Sequence, residues 1–292
     1  MRSKCVVLGV VYPAAKDFLE DYFNSLCSQS STEFDVLLAN DGMAGLEQWI
    51  SFKELDVDVI QVDGSISQNR LDLIREAIGR GYTRIIFSDT DDCLAPNRVE
   101  VSVELLQTHS MVVNDLDLMD YEGKVGDSRY FSSRFSEGSS INLGTITAGN
   151  LMGLSNTAAT AEVLKNCLEL DQANTDVFDW YLWSILLQNR EAIFTQQTST
   201  HYRVYGENLA GLPQPINRPG VERGIDVKLK HYTLLSKRMP QMQELAIDFE
   251  NLQNRVNDDV FFESYIESLQ QTRLECPLWW ENIKLPAEVG LA

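Results

Sequence analysis

The sequence has no apolar run long enough to span a bilayer. Its first apolar stretch, Cys5 to Val11, is too short for a secretion signal despite the charged start Met1-Arg2-Ser3-Lys4. That stretch reads as a buried strand, and the expected location is the cytoplasm. Histidine is scarce: His109, His201 and His231 stand far apart. The five cysteines are also scattered, and none has C-x-x-C spacing. These absences exclude a zinc-finger-like site and a disulfide framework, leaving reduced thiols as the expectation. Basic residues are few, 24 Lys and Arg against 43 Asp and Glu, for a net charge of −19. Such a surface repels phosphate backbones and anionic lipid, so nucleic acid and membranes are poor partners. No internal repeat or long low-complexity tract is present.

What remains is a chain of 292 residues, 44% of them hydrophobic, enough for one large domain or two modest ones. Strand-like and helix-like segments alternate through the first hundred residues. Strands are expected at Cys5–Val11, Phe34–Ala39, Val57–Val62 and Arg84–Ser88. Helices are expected at Lys16–Ser28, Ala44–Leu55 and Gln68–Arg80, with another opened by Pro96 and running to Gln107. Repeated units of this length imply an α/β fold with a mostly parallel sheet, whose ligands bind at the carboxyl ends of the strands. Asn40-Asp41-Gly42 and Asp89-Thr90-Asp91-Asp92 both fall there. The later pattern is weaker. One or two strands are expected over Met111–Met119, helices over Thr160–Leu168 and Val177–Leu187, and two short strands at Ile193–Thr195 and Thr198–Tyr202. Pro213, Pro215 and Pro219 mark a boundary, followed by helices at Val227–Arg238, Gln241–Val256 and Asp259–Leu274. The expected division is a catalytic domain over 1–215 and a helical extension over 216–292 that serves homo-oligomerisation or presents an acceptor.

A buried strand that delivers three carboxylates to its end is electrostatically costly. A divalent cation relieves the repulsion, and oxygen ligands of this kind suit Mg²⁺ or Mn²⁺ bridging to substrate phosphates. The plainer reading is a solvated acidic turn ahead of Pro96.

The first half of the chain resembles the family-two glycosyltransferases of the GT-A fold. The features that carry the resemblance come in order: a first strand ending near Tyr12, a second strand ending in the Asn40-Asp41-Gly42 turn, a helix beginning at Asn69-Arg70, then Asp89-Thr90-Asp91 followed by Asp92 and a Pro that opens a helix. It extends to about Gly211 and implies an inverting transferase using a nucleotide sugar, with UDP the expected nucleotide. It also implies that Tyr12 flanks the base, Asp41 accepts a hydrogen bond from it, Arg70 neutralises charge near the nucleotide, and Asp89 holds ribose or metal. Asp91 would be the direct ligand of Mn²⁺ or Mg²⁺, with Asp92 in support. Phe178-Asp179-Trp180-Tyr181-Leu182-Trp183 is similar to the family's acceptor-side helix and puts Asp179 on its catalytic aspartate. A base is needed there to take the proton of an acceptor hydroxyl, from a saccharide or other alcohol. Asp176 is the rival, and a helix cap is the plainer role for Asp179. Asn150, Trp180 and Arg203 are the acceptor-side candidates. His201-Tyr202-Arg203-Val204-Tyr205 is similar to a family Tyr-Arg-x-His stretch, but the frequent His is Tyr205, and Phe178 replaces a frequent Glu. Trp279-Trp280 could stack on sugar, though packing is the plainer reading.

Three other functions compete. A haloacid-dehalogenase phosphatase also has Asp-x-Asp after a strand, but normally on the first strand. A sugar nucleotidyltransferase needs a Gly-rich basic loop where Tyr12-Pro13-Ala14-Ala15-Lys16 stands. A non-catalytic nucleotide-sugar-binding protein would keep the fold alone.

Overall fold

The computed structural model describes residues 4–50, 55–126, 128–170, 177–205, 212 and 215–291. The chain forms two compact units. One comprises Met1–Asn142, Met152–Asn174 and Asn189–Tyr205; the other comprises Leu143–Leu151, Thr175–Gln188 and Gly206–Ala292.

The first unit is built on a nine-stranded sheet. Its strands are β1 (Cys5–Val11), β2 (Asp35–Asn40), β3 (Val57–Gln61), β4 (Arg84–Phe87), β5 (Cys93–Leu94), β6 (Met111–Met119), β7 (Ser140–Ile141), β8 (Thr157–Thr160) and β9 (Ala192–Arg203). Its helices are α1 (Leu19–Cys27), α2 (Leu46–Ile50), α3 (Ile66–Gly79), α4 (Arg98–Leu105) and α5 (Ala161–Leu164). Every residue of β1 is buried, which is why its sequence is a continuous apolar run rather than an alternation. It pairs in parallel with β2 on one side and β4 on the other. The carboxyl ends of β2 and β4 therefore flank that of β1, bringing Asp41 and the Asp89 turn to one edge. Packing beneath is close: a Cβ on Gly9 would stand 2.9 Å from the Tyr22 hydroxyl and 3.2 Å from the Thr90 methyl. The Tyr22 and Ser88 hydroxyls are 2.8 Å apart, tying α1 to the end of β4.

The strand order is β3-β2-β1-β4-β8-β6-β9-β5, with β7 on β9. The expected parallel arrangement holds from β3 to β4. Beyond it β8 runs antiparallel to both β4 and β6, while β6 and β9 are parallel. The two short strands expected near residue 200 are one strand, β9, with an irregular register opposite Asn114 and Asp115. The polar break between them is that irregularity, where Glu137 accepts hydrogen bonds from the Gln196 backbone at 2.5 Å and the Gln197 side chain at 2.9 Å. Several helix starts differ from expectation. Lys16 lies in a 3₁₀ turn, Pro13–Phe18, that precedes α1. Pro96 sits in a turn, its carbonyl accepting from the Ser30 backbone at 2.7 Å, and α4 begins at Arg98. α3 starts at Ile66, two residues before the expected Gln68, because Ser65 caps it by accepting from Gln68 N at 3.3 Å.

The second unit carries α6 (Phe178–Leu186), α7 (Arg218–Ser236), α8 (Gln243–Arg255) and α9 (Asp259–Gln271). α7 begins nine residues before the expected Val227. Asn217 caps it by accepting from Gly220 N at 2.9 Å, and Pro219 sits in its first turn. A proline there starts a helix as readily as it marks a boundary. Among the described residues no helix is long and apolar enough to cross a membrane.

Candidate active site

In the first unit the acidic turn follows β4 directly and is fastened from several directions. Thr90 Oγ1 donates to Val10 O at 2.9 Å, fixing the turn to β1. Arg70, on α3, meets Asp89 at 2.7 Å, both side chains partly exposed. Asp91 Oδ2 accepts from two phenols, Tyr205 at 2.7 Å and Tyr12 at 3.3 Å. Asp92 is buried, accepting from the Ser155 hydroxyl and from Arg203 N, the latter at 2.7 Å. Asp41 is half-buried at the end of β2, its backbone N donating to Val11 O at 2.8 Å. The structure therefore brings Tyr12, Arg70, Asp89 and Asp91 together around one turn.

Burial raises the proton affinity of Asp91, and the neighbouring Asp89 charge raises it further. Asp92 is raised well above the ordinary carboxylate range, first by burial and then by Asp91 and Asp89. The hydroxyls of Tyr12 and Tyr205 are pushed up by burial first and by Asp91 next, so both stay protonated donors.

Arg203 is fully buried. Its Nε donates to Asp91 O at 2.8 Å, one terminal nitrogen to Tyr121 O at 2.6 Å, and the other pairs with Asp21 at 2.9 Å. Its guanidinium lies over the Phe18 ring, 4.6 Å from the centroid. His201 lies 3.7 Å from Asp117, but burial outweighs that carboxylate and lowers its proton affinity. A polar cavity of about 450 Å³ lies between the end of β3 and α3, lined by residues such as Val62, Asp63, Gln68 and Asp72; Tyr12, Asp41, Arg70, Asp89 and Asp91 are not in its lining.

In the second unit Asp179 is the second residue of α6 and half-buried. Its Oδ1 accepts from Trp180 N at 2.8 Å and its Oδ2 from Asn150 Nδ2 at 3.1 Å. Trp180 is fully buried, donates Nε1 to Ile146 O at 2.7 Å and stacks on His231. Trp279 and Trp280 are buried as well. Asp176 lies outside the described residues.

The sequence profile of glycosyl transferase family 2 matches residues 8–160, more than half of the chain. The chain belongs to glycosyl transferase family 2. Its fold is that of several solved glycosyltransferases. S. aureus TarS 1-349 in complex with UDP-GlcNAc superposes with a TM-score of 0.59 at 14% identity, covering 84% of this chain and 72% of that one. The mannosyltransferase PcManGT from Pyrobaculum calidifontis, in complex with GDP-Man and Mn²⁺, gives 0.53 at 13% identity, covering 81% and 65%. GalNAc-T7 with UDP, GalNAc and Mn²⁺ gives 0.55 at 12% identity, covering 94% and 58%. No curated protein sequence matches the chain. The protein is a family 2 glycosyltransferase with the mixed α/β GT-A fold and a helical carboxyl-terminal segment.

Family 2 membership raises the question of a metal. Among the described residues no three His, Cys, Asp or Glu side chains form a ready cage for one. Asp89 and Asp91 are oxygen donors of the kind a hard cation takes and their charges repel at the end of a strand, with one oxygen of Asp89 paired to Arg70 and one of Asp91 to two phenols. Several partners of this transferase's acidic turn were not visible beforehand. Ser155 and the hydroxyl of Tyr205 reach it from distant segments, and Asp21 pairs with Arg203 from 182 positions away.

Proposed function

We propose that the protein transfers a sugar from a nucleotide sugar, a UDP-sugar in the first instance, to an acceptor hydroxyl with inversion and with the help of Mn²⁺ or Mg²⁺. The observation that carries this reading is the acidic turn after β4, where Asp91, raised by burial and by Asp89, sits beside the Arg70–Asp89 pair. Asp89 and Asp91 would hold the cation, which when bound supplies positive charge against the nucleotide's phosphates. Tyr12 and Asp41 are assigned to the base, and Arg70 to charge near the nucleotide. UDP is supported by the UDP-GlcNAc and UDP bound to TarS and GalNAc-T7.

Asp179 is the proposed general base, removing the acceptor's proton as the new bond forms. Its carboxylate is oriented at both oxygens, which favours a fixed line of attack. The full burial of Arg203 and Trp180 favours positioning roles for both, Arg203 beside the acidic turn and Trp180 at the start of α6, rather than contact with acceptor. We assign transfer to residues 1–215 and oligomerisation or acceptor presentation to 216–292. A cytoplasmic setting is supported by the scatter of the five cysteines, none of which forms a disulfide.

The test is calorimetry with UDP and Mn²⁺, preceded by a thermal-shift panel of UDP-, GDP- and dTDP-sugars, since a ligand of the folded state raises apparent stability. The expected result is UDP binding that a chelator abolishes, with a UDP-sugar giving the largest shift. No shift with any nucleotide sugar, with or without metal, overturns the reading.

A further inference from the structure

Asn150 is buried, and it is tied in two directions within the second unit. Its side chain donates to Asp179 at 3.1 Å. Its backbone exchanges two hydrogen bonds with Trp279, N to O at 2.9 Å and O from N at 3.0 Å. The two segments touch closely beside this bridge. A Cβ on Gly149 would stand 2.7 Å from Glu281 Cβ and 2.9 Å from Trp279 O, a clash with backbone that only glycine avoids.

The carboxyl-terminal partner is itself held firmly. Trp280 is buried with φ +67, a left-handed conformation that is costly for a bulky side chain and persists only where the surroundings impose it. Leu278 N donates to Glu281 Oε2 at 2.8 Å, and Ile283 O accepts from Lys228 Nζ on α7 at 2.5 Å. The path thus runs from α7 through the strap at 278–283 to Asn150 and then to the carboxylate of Asp179.

We infer that this strap belongs to the active site's working parts: by clamping the backbone of Asn150 it holds the amide that orients Asp179, making Asn150 and Gly149 positioning residues for the base. The inference rests on the reading of Asp179 as the base. A merely structural strap would keep the unit folded without favouring one rotamer of one carboxylate. An orienting strap acts on turnover and leaves nucleotide binding alone.

The experiment uses the full chain, the nucleotide sugar that stabilises it most, and UDP with Mn²⁺ as the binding probe. Asn150→Ala is expected to lower kcat about tenfold, the worth of a hydrogen bond to a charged group, with KM for the donor and UDP affinity unchanged. The isosteric Asn150→Asp, which sets a second carboxylate against Asp179, should lower it further. Gly149→Ala touches neither carboxylate oxygen, yet should lower kcat with the same split and add little to Asn150→Ala. In an Asp179→Asn background none of these changes should lower the residual turnover further. Wild-type kcat in both Asn150 variants overturns the inference, as does an equal loss in the Asp179→Asn background. Should Gly149→Ala not fold, the Asn150 variants alone decide. Full turnover in Asp179→Asn itself refutes the base assignment instead, and that outcome is read separately from the other two.

Discussion

Trp180 and His231 are stacked in the second unit, their ring centroids 3.8 Å apart and their planes 15° from parallel. Trp180 follows Asp179 directly, so the stack supports the helix end that carries the proposed base. The imidazole works there as a flat apolar surface: it is buried, and its Nδ1 has no hydrogen-bond partner among the described residues.

That environment makes the unit acid-sensitive. Burial, with Lys228 adding to it, lowers His231 from 6.5 to about 3. Over that interval the unfolded chain binds a proton that the folded chain does not, so stability rises with pH and falls on acidification from about 6.5 towards 3. His231→Phe keeps a flat ring and removes the titration. Its melting temperature should fall less steeply than that of the wild type across this window. Parallel melting curves for the two proteins would show that His231 is not the titrating group.

Arg203 is the second element to test. Its nitrogens serve Asp91 O, Tyr121 O and Asp21 from a fully buried position. A lysine carries its three donors on one nitrogen, so it cannot reach three acceptors spread around a guanidinium fork. Arg203→Lys should leave a buried cation short of acceptors and cost about 3 kcal/mol, lowering the melting temperature by roughly 5–10 °C. A change of about a degree would mean that the acidic turn does not depend on this brace.

How much of this was legible beforehand follows the range of the interactions. Cys5–Val11 is apolar throughout because β1 is buried on both faces, so its strand and its place in the sheet's centre could be read locally. The acidic turn was legible because three aspartates after a buried strand have no simple packing explanation. Pro219 was ambiguous locally, since the same residue ends one segment and starts α7. The Asn150–Trp279 bridge and the Asp21–Arg203 pair join segments far apart in the chain, and no spacing rule announces either. Tyr205 stood out as a departure from the family, but its hydrogen bond to Asp91 required coordinates.

Asp91 should show opposite effects on stability and on binding. Burial and Asp89 both oppose its charge. The isosteric Asp91→Asn still offers an oxygen to the phenols of Tyr12 and Tyr205 and removes that charge. Its melting temperature without ligand should therefore rise, while UDP affinity in Mn²⁺ falls at least about tenfold, the metal's charge having lost its direct ligand. Chelator should reduce wild-type affinity to the level of the variant and leave the variant unchanged. Equal calorimetric affinities for the two proteins in Mn²⁺ would remove Asp91 from the metal assignment.

The chemistry is tested at Asp179. General-base assistance is worth about 10²–10⁴-fold, so Asp179→Asn should lower kcat by that factor. The asparagine oxygen can still accept from Trp180 N, and the amide cannot take a proton at neutral pH. Because the proposed base acts on the acceptor and not on the nucleotide, UDP affinity should stay close to wild type, separating loss of a transition-state interaction from loss of binding. Asp176→Asn should have a far smaller effect; exchange of the two behaviours would move the base to Asp176. The stereochemistry provides an independent check. A single displacement inverts the anomeric centre, so proton NMR of the first product formed from an α-linked donor should show a β-linkage. An α-linked product would exclude single displacement regardless of which aspartate variant lost activity.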